Sequence, residues 1–536
     1  MKKKIIRFFS GVLLLSASFT LVGCIDETEP TSGLTQDQVD ESSNTIEALL
    51  QALPAKFNKV DARTGNFGDY AFGYGGVMHV RDVETGDMAI TYSDYDHFQP
   101  WETNEQMGPS MARTQWLWNY PYECIMAANK LISAVKNDSV KSNTNLAAEG
   151  IGYAFRALFY LDLAREFEFL PNEKTSGVNS NGNDVTNLTV PIITDETTEE
   201  DIKNNPRVSR EVMYNFIHSD LEKAQNLIVY NTSTAKDLPH LDAVYGLKAR
   251  LFMWVEKYDS AAIYSAKAIQ AASNGTAITT LEDCFTISGN NLSGYSPTCF
   301  NTSTKWMWAV EQTSENSTVT SGILNWTSWM SPNASFGYAA AGPAPCIDMN
   351  MYNRINSADW RKLFYNSEDL VSPGISYKFQ PNEGNTSVAN IGAAVAYPVM
   401  RIEEMYFIQA EAYAHINAQQ GKTILESFMN NYRVGDLGGT YTCNATTQDG
   451  IIEEIIFQKR VELWGEGQTF FDIKRLNYSV TRGYDGTNFF DEARLNTNGR
   501  PAWMNWCIVQ TEENSNSALV GWNNPDPTDK YTPWNE

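Results

Sequence analysis

Basic residues are in short supply: 40 Lys and Arg stand against 64 Asp and Glu, a formal charge of −24 over 536 residues. A field of that sign repels phosphate backbones, which excludes nucleic acid as a partner. Histidine is rarer still. The five (His79, His97, His218, His240 and His415) show no HExxH or other metal-ligand spacing, so no metal site is expected. No G-x-S-x-G nucleophile elbow occurs. Gly421-Lys422-Thr423 is no phosphate cradle, because Ile416 stands where the loop's first glycine belongs. Met78 likewise replaces the last glycine of a dinucleotide fingerprint begun by Gly73 and Gly75. The acids of Asp94–Glu105 fall at calcium-loop positions, but the central glycine is missing and Phe98 intrudes. With no cofactor motif and no nucleophile, the chain is not expected to be an enzyme. Carboxylate pairs such as Glu403–Glu404 keep a glycoside hydrolase as an alternative.

Long apolar runs are also lacking, apart from one near the N-terminus. Met1-Lys2-Lys3-Lys4 and Arg7 precede "FFSGVLLLSASFTLVG", residues 8–23. A spanning helix needs about 20 apolar residues, and this run is shorter and broken by Ser10, Ser16, Ser18 and Thr20. It has the build of a signal peptide and ends on Leu21-Val22-Gly23-Cys24, which resembles a bacterial lipobox. We read residues 1–23 as a cleaved leader and Cys24 as the lipidation site, since several acyl chains anchor a protein stably where one does not. Cleavage removes four basic residues and no acid, taking the charge from −24 to −28. Residues 24–45 are acidic and poor in large apolar side chains, as in a flexible tether. Asp26, Glu27 and Glu29 resemble a signal for export to the outer face of an outer membrane. Six cysteines remain without a CxxC. A core of this size needs no staples, so we expect mostly buried free thiols, with Cys284–Cys299 the most plausible local bridge.

What is abundant is helical period and aromatic, polar loop. In "AAEGIGYAFRALFYLDLAREFEFLP", Ile151, Phe155, Leu158, Phe159 and Asp162 share a face before Pro171 ends the element. Residues 210–228 repeat the pattern, and residues 240–272 read as two helices broken near Glu256–Tyr258. Tyr245, Ala249, Phe252, Ala261 and Ala268 fall near tetratricopeptide (TPR) spacings, with Ser265 where a bulky residue is usual. A second partial match surrounds Ala410 and Tyr413. Residues 61–120, 171–206 and 275–400 carry no sustained period, and loops that long in a folded protein tend to be functional. The expected fold is mainly α, a TPR-like helical-hairpin scaffold whose large structured loops carry the ligand surface. The folded part is one domain, 46–536, with an N-terminal part (46–300) and a C-terminal part (301–536).

Taken together, the lipobox, Ala154–Pro171, Leu247–Ile269, "SADWRK" (Ser357–Lys362), Pro398–Ile416 and Ile451–Asn477 resemble, in order and spacing, the SusD/RagB nutrient-binding outer-membrane lipoproteins. One departure is Gln458-Lys459-Arg460, where members often have Glu-Arg; a tolerated surface change is expected there. Leu463, Trp464, Phe470, Phe471 and Ile473 are read as core. Gly465 and Gly467 shape a turn, and Glu462, Lys474 and Arg475 are read as forming ion pairs.

The resemblance implies a lipid-anchored protein at the cell exterior that captures a nutrient without catalysis. It would deliver the nutrient, usually an oligosaccharide and less often a peptide, to a TonB-dependent transporter. A TPR-type interaction protein or adhesin is a further alternative. Sugar rings stack on Trp and Tyr while Asn and Asp bind their hydroxyls. Trp101 and Trp329 are the expected platforms, with Trp326, Tyr95 and Tyr295 beside them and Asp94, Asn104 and Asn325 as hydrogen-bonding groups. Trp306 and Trp308 alternate as a strand would and are assigned to packing.

Overall fold

The helical period of residues 143–167 folds as one long helix, and its neighbours dock on it in chain order. The computed structural model describes residues 45–61, 68–139, 141–272, 275–288, 291–296, 300 and 303–535. Cys24, most of the tether and Cys299 lie outside the described residues. Among helices of eight residues or more, α1 is Thr45–Phe57, α2 Tyr74–Val83, α3 Ala112–Asn137 and α4 Asn143–Phe167. Then come α5 Arg210–Leu227, α6 Leu241–Trp254 and α7 Tyr258–Gln270. The C-terminal part adds α8 Ile402–Ile416, α9 Ala418–Tyr432, α10 Gln448–Glu462 and α11 Thr469–Leu476. Each of α3 to α9 packs on the next, and α10 packs on both α8 and α9. The fold is mainly α with TPR-like hairpins. Ile46–Glu536 forms one contact unit.

The α6–α7 hairpin turns at Glu256, whose φ is +58°. Ser265 fits its crowded contact by donating its hydroxyl to Ala261 O at 2.8 Å, so no bulky side chain is needed. In the α8–α9 hairpin, Asn417 caps α9 through Gln420 N at 3.3 Å. Gly421 is needed where the two helices touch, because a Cβ there would lie 2.5 Å from Ala410 O.

Residues 61–120 depart from the loop expectation. They contain α2 and the start of α3, and all ten residues of α2 are buried. A helix enclosed on every side has no polar face and so no amphipathic period to read. The strands are short. A four-stranded sheet has the order β1 (Met88–Ile90), β5 (Pro345–Ile347), β7 (Ile375–Ser376), β6 (Tyr365–Asn366). The β2–β3 hairpin (Phe285–Ser288, Asn291–Tyr295) and the β4–β8 pair (Trp308–Val310, Tyr397–Met400) complete the set. Trp306 and Trp308 are both buried.

Burying helices on all sides forces charges into the core, and many of these are matched one against another. From Gly150 to Phe167 every residue of α4 is buried. Arg156 there meets Asp220 twice, at 2.7 and 2.8 Å, and Asn129 at 2.8 Å. At the end of α10, Glu462 accepts from Arg361 (3.0 Å), Arg401 (3.0 Å) and Arg433 (2.7 and 2.8 Å). Asp359, Glu403 and Glu466 share the remaining contacts of these guanidiniums, and Lys378 joins through Glu466 at 2.7 Å. Gly465 and Gly467 have φ of +74° and +65°. A Cβ on Gly467 would meet Met78 Cα at 2.9 Å.

Three expectations need correction. Gln458, Lys459 and Arg460 are not a surface variation: Gln458 Oε1 accepts from Arg361 at 2.6 Å, Lys459 pairs with Asp472 at 2.8 Å, and Arg460 pairs with Asp87. Lys474 lies in the core without a carboxylate in contact; its ammonium donates to Glu166 O at 2.7 Å. Cys284 is a free buried thiol, as are Cys124, Cys346, Cys443 and Cys507.

Burial opposes the charge on Glu462, but Arg433 and Arg401 outweigh it and hold the carboxyl well below the usual range. Its contribution is therefore present above the unfolded-state pKa and is lost as pH falls through the lower folded-state value. Glu462→Gln leaves three guanidiniums short of a counter-charge and should cost about 3–5 kcal/mol. Urea unfolding should show a lower midpoint at neutral pH and a shallower acid limb than wild type.

Candidate functional site

After β1 the run Thr91-Tyr92-Ser93-Asp94-Tyr95-Asp96-His97 is bent by its own short side chains. Ser93 Oγ accepts from Tyr95 N at 3.2 Å and Asp96 Oδ1 from Phe98 N at 2.8 Å. Tyr92 donates to Asp94 at 3.2 Å and packs edge-on to Phe490 at 5.6 Å. Pro100 then opens the helical turn Gln99–Glu102, where its missing N–H is not needed. These bends hold two phenol rings out of the molecule: Tyr95 is 63% exposed and Tyr92 56%.

Beside this crest lies a cavity of about 580 Å³, lined by Tyr70, Asp94, Asp96, His97, Gln106 and Arg113 among others. That is within the ~300–1,000 Å³ range of small-molecule sites. Arg113 donates to Gln106 Oε1 at 2.8 Å, and its guanidinium sits over the Trp101 ring at 5.4 Å. His97 Nδ1 accepts from Asp69 N at 3.3 Å, which places the neutral ring's proton on Nε2, 3.6 Å from the Asp69 carboxylate. Tyr338 donates to the same carboxylate. Its ring lies on Trp329, 4.4 Å between centroids and 17° from parallel. Behind the wall, burial holds the Glu102 carboxyl well above the usual range, with Asp96 adding to the shift. Burial also raises Asp96. Glu102 itself does not line the cavity.

The tryptophans expected as platforms form the floor instead. Trp101 and Trp329 are each 1% exposed. Trp101 packs on Tyr70 (5.1 Å) and Phe98 (5.7 Å), and Phe98 also meets Trp329 at 4.8 Å. Trp326 is stacked on Tyr397 at 4.9 Å. A ring whose faces are covered has none to offer a sugar. Asn325 is spent capping its helix through Ser328 N at 2.9 Å, and Asn104 is buried with φ +58°. Tyr295 is half-buried at the end of β3, stacked on Tyr377 at 5.3 Å and donating to Leu363 O at 3.2 Å. Of the expected residues, Asp94 lines the basin and is exposed, and Tyr95 stands exposed next to it in the chain. His97, Gln106 and Arg113, which line the cavity, Tyr338, which packs edge-on to His97 at 5.8 Å, and the exposed Tyr92 were not among the expected residues. Tyr92 and His97 share the aromatic-acid run of Tyr95 and were legible there; Arg113 and Tyr338 come from distant segments with no such mark. Among the described residues no group of three or more His, Cys, Asp or Glu is placed to hold a metal. No helix among them is long and apolar enough to cross a membrane.

Fold and site define a class: a TPR-like helical scaffold presenting a loop-built, hydrogen-bonding basin with exposed aromatic rings. A family model described as SusD family matches residues 348–528, and one described as starch-binding, associating with outer membrane, matches residues 61–253. The chain belongs to the SusD family. No curated protein matches it. Among solved structures, a SusD-like carbohydrate-binding protein from Bacteroides vulgatus is 20% identical with TM-score 0.67, over 90% of this chain and 97% of that one. A SusD superfamily protein from Bacteroides thetaiotaomicron is 16% identical with TM-score 0.67, over 89% and 98%. A laminarin-binding SusD-like protein is 16% identical with TM-score 0.60, over 90% and 99%.

Because Trp101 and Trp329 are structural, Trp101→Ala and Trp329→Ala should each destabilise the fold by about 3–5 kcal/mol. Tyr95→Ala should leave the urea midpoint unchanged, since its ring makes little buried contact.

Proposed function

We propose that the protein captures an oligosaccharide at the basin beside Tyr95 and releases it unaltered to a TonB-dependent transporter in the outer membrane. The observation that carries this reading is that the chain run holding the Tyr92 and Tyr95 rings outward also supplies Asp94 and His97 to a cavity lined with Gln106 and Arg113. The rings offer apolar faces to sugar C–H groups, and the side chains offer both donors and acceptors to hydroxyls. Tyr338, backed by Trp329 and fixed through Asp69, is preorganised as a third ring, so little side-chain entropy is lost on binding. The family descriptions and a relative that binds laminarin support a carbohydrate ligand. Asp96 and Glu102 do not make a hydrolytic pair in this reading, because only Asp96 reaches the cavity. The anchor is Cys24, acylated after cleavage of residues 1–23, with the acidic residues that follow directing the protein to the outer face.

Titration of protein lacking residues 1–24 against laminarin- and starch-derived oligosaccharides and a peptide panel tests the reading. Binding of a glycan without product release is expected. Tyr95→Ala and Arg113→Ala should each weaken it about tenfold, the equivalent of ~1.4 kcal/mol. Binding of peptides alone, or full affinity in both variants, would overturn the assignment. In cells, Cys24→Ser should abolish incorporation of labelled palmitate and release the protein from the membrane fraction; retained label would refute the anchor.

A further inference from the structure

A second cavity, which shares no lining residue with the basin, lies between α4, α6, α8, α10 and α11 beside the start of α5. It has about 30 Å³ of free space, room for two or three water-sized species given that about 10–15 Å³ holds one. Six cationic side chains line it against three carboxylates. Most of that imbalance is met from behind the wall. Arg165 pairs with Asp162, and Arg475 with Glu411. Arg210, Arg250 and Lys459 pair with the lining carboxylates Glu168, Glu404 and Asp472. Lys474 alone among the six has no carboxylate in contact, while it is 3% exposed. The lining thus carries one positive charge more than its direct partners neutralise.

Donors without acceptors stand in the same walls. Arg250 spends Nε and Nη2 on Glu404 at 2.7 and 2.6 Å, and Arg475 spends Nε and Nη2 on Asp472 and Glu411. In both, Nη1 is buried with no hydrogen-bond partner in the protein. Lys474 directs one of its three N–H donors at Glu166 O. Leaving charged donors unpaired in the interior is costly.

We propose that this cavity is a site for one small monovalent anion of the halide class, held by Lys474, Arg250 and Arg475. The anion supplies the missing counter-charge and accepts from the two orphaned guanidinium nitrogens. Lys474 fits the role: burial pushes its ammonium down to about 7, with Glu168 pulling the other way, so a bound anion would keep it charged at neutral pH. The size of the cavity rejects multi-atom organic anions such as gluconate. Because α4 and α6 on one wall come from the N-terminal part of the chain and α8, α10 and α11 from the C-terminal part, its occupancy ties the two parts together rather than serving ligand capture.

Two measurements on the full chain test this. Crystals grown in bromide should show an anomalous peak within hydrogen-bonding distance of Lys474 Nζ, Arg250 Nη1 and Arg475 Nη1. In solution, exchanging gluconate for chloride at constant ionic strength should raise the Tm saturably, and Lys474→Met should abolish the increment. A cavity holding only water in the bromide crystals overturns the proposal, as does a Tm that follows ionic strength alone or an increment kept in Lys474→Met. If Lys474→Met does not fold, the bromide density in the wild-type crystal decides.

Discussion

The carboxylate of Glu462 is the point on which the C-terminal half of the scaffold turns. Three guanidiniums, from Arg361, Arg401 and Arg433, meet its two oxygens in four hydrogen bonds. Those arginines stand at the 3₁₀ turn before β6, at the start of α8 and at the end of α9. One side chain therefore fixes where three segments end relative to α10. Burying so many ions is costly, and the cost is tolerable only because Asp359, Glu403, Glu466 and Lys378 complete the set. Such a network tolerates no partial occupancy, which gives it specificity as well as stability.

The same economy recurs around Phe471. Arg165 and Arg81 lie over its ring at 3.5 and 4.8 Å, and both meet Asp162. Lys474 departs from that pairing among the groups lining the inner cavity, and an internal anion is what would bring it into line. At the other end of the molecule the rigid helices serve the loops: the run after β1 can hold Tyr92 and Tyr95 outward because Phe98, Trp101 and Trp329 anchor it beneath. Capture in the proposed reading needs no tuned catalytic group, only rings and hydrogen-bonding side chains that stay in place while empty.

Legibility in the sequence followed exposure. The α6–α7 and α8–α9 hairpins were readable because α7 and α9 each have a wet face and a dry one, which writes a 3.6-residue period. Helix α2 was not, since it is buried on every side and, at ten residues, too short to show by length the helix that α4 shows over twenty-five. The site failed for the matching reason. Trp101 and Trp329 stand among polar neighbours in the chain, but adjacency in sequence says nothing about which way a side chain faces in a loop without period. Tyr95 and Asp94 were found in a run whose short turns are written locally. Arg113 lines the basin from 18 positions after Tyr95, and Tyr338 packs on its His97 from the far half of the chain, a convergence no local pattern records.

By itself, then, the sequence determined the helical class, the hairpin spacing, the core role of Trp464, Phe470 and Phe471, and the family resemblance, because these rest on local period and on motif order. Tertiary structure decided which aromatics are floor and which are surface, that Gln458 and Lys459 serve a buried ion network, and that Lys474 lacks a carboxylate in contact. Those outcomes depend on which distant segments close over a side chain. Burial and charge pairing are properties of that closure, and no stretch of chain carries them alone.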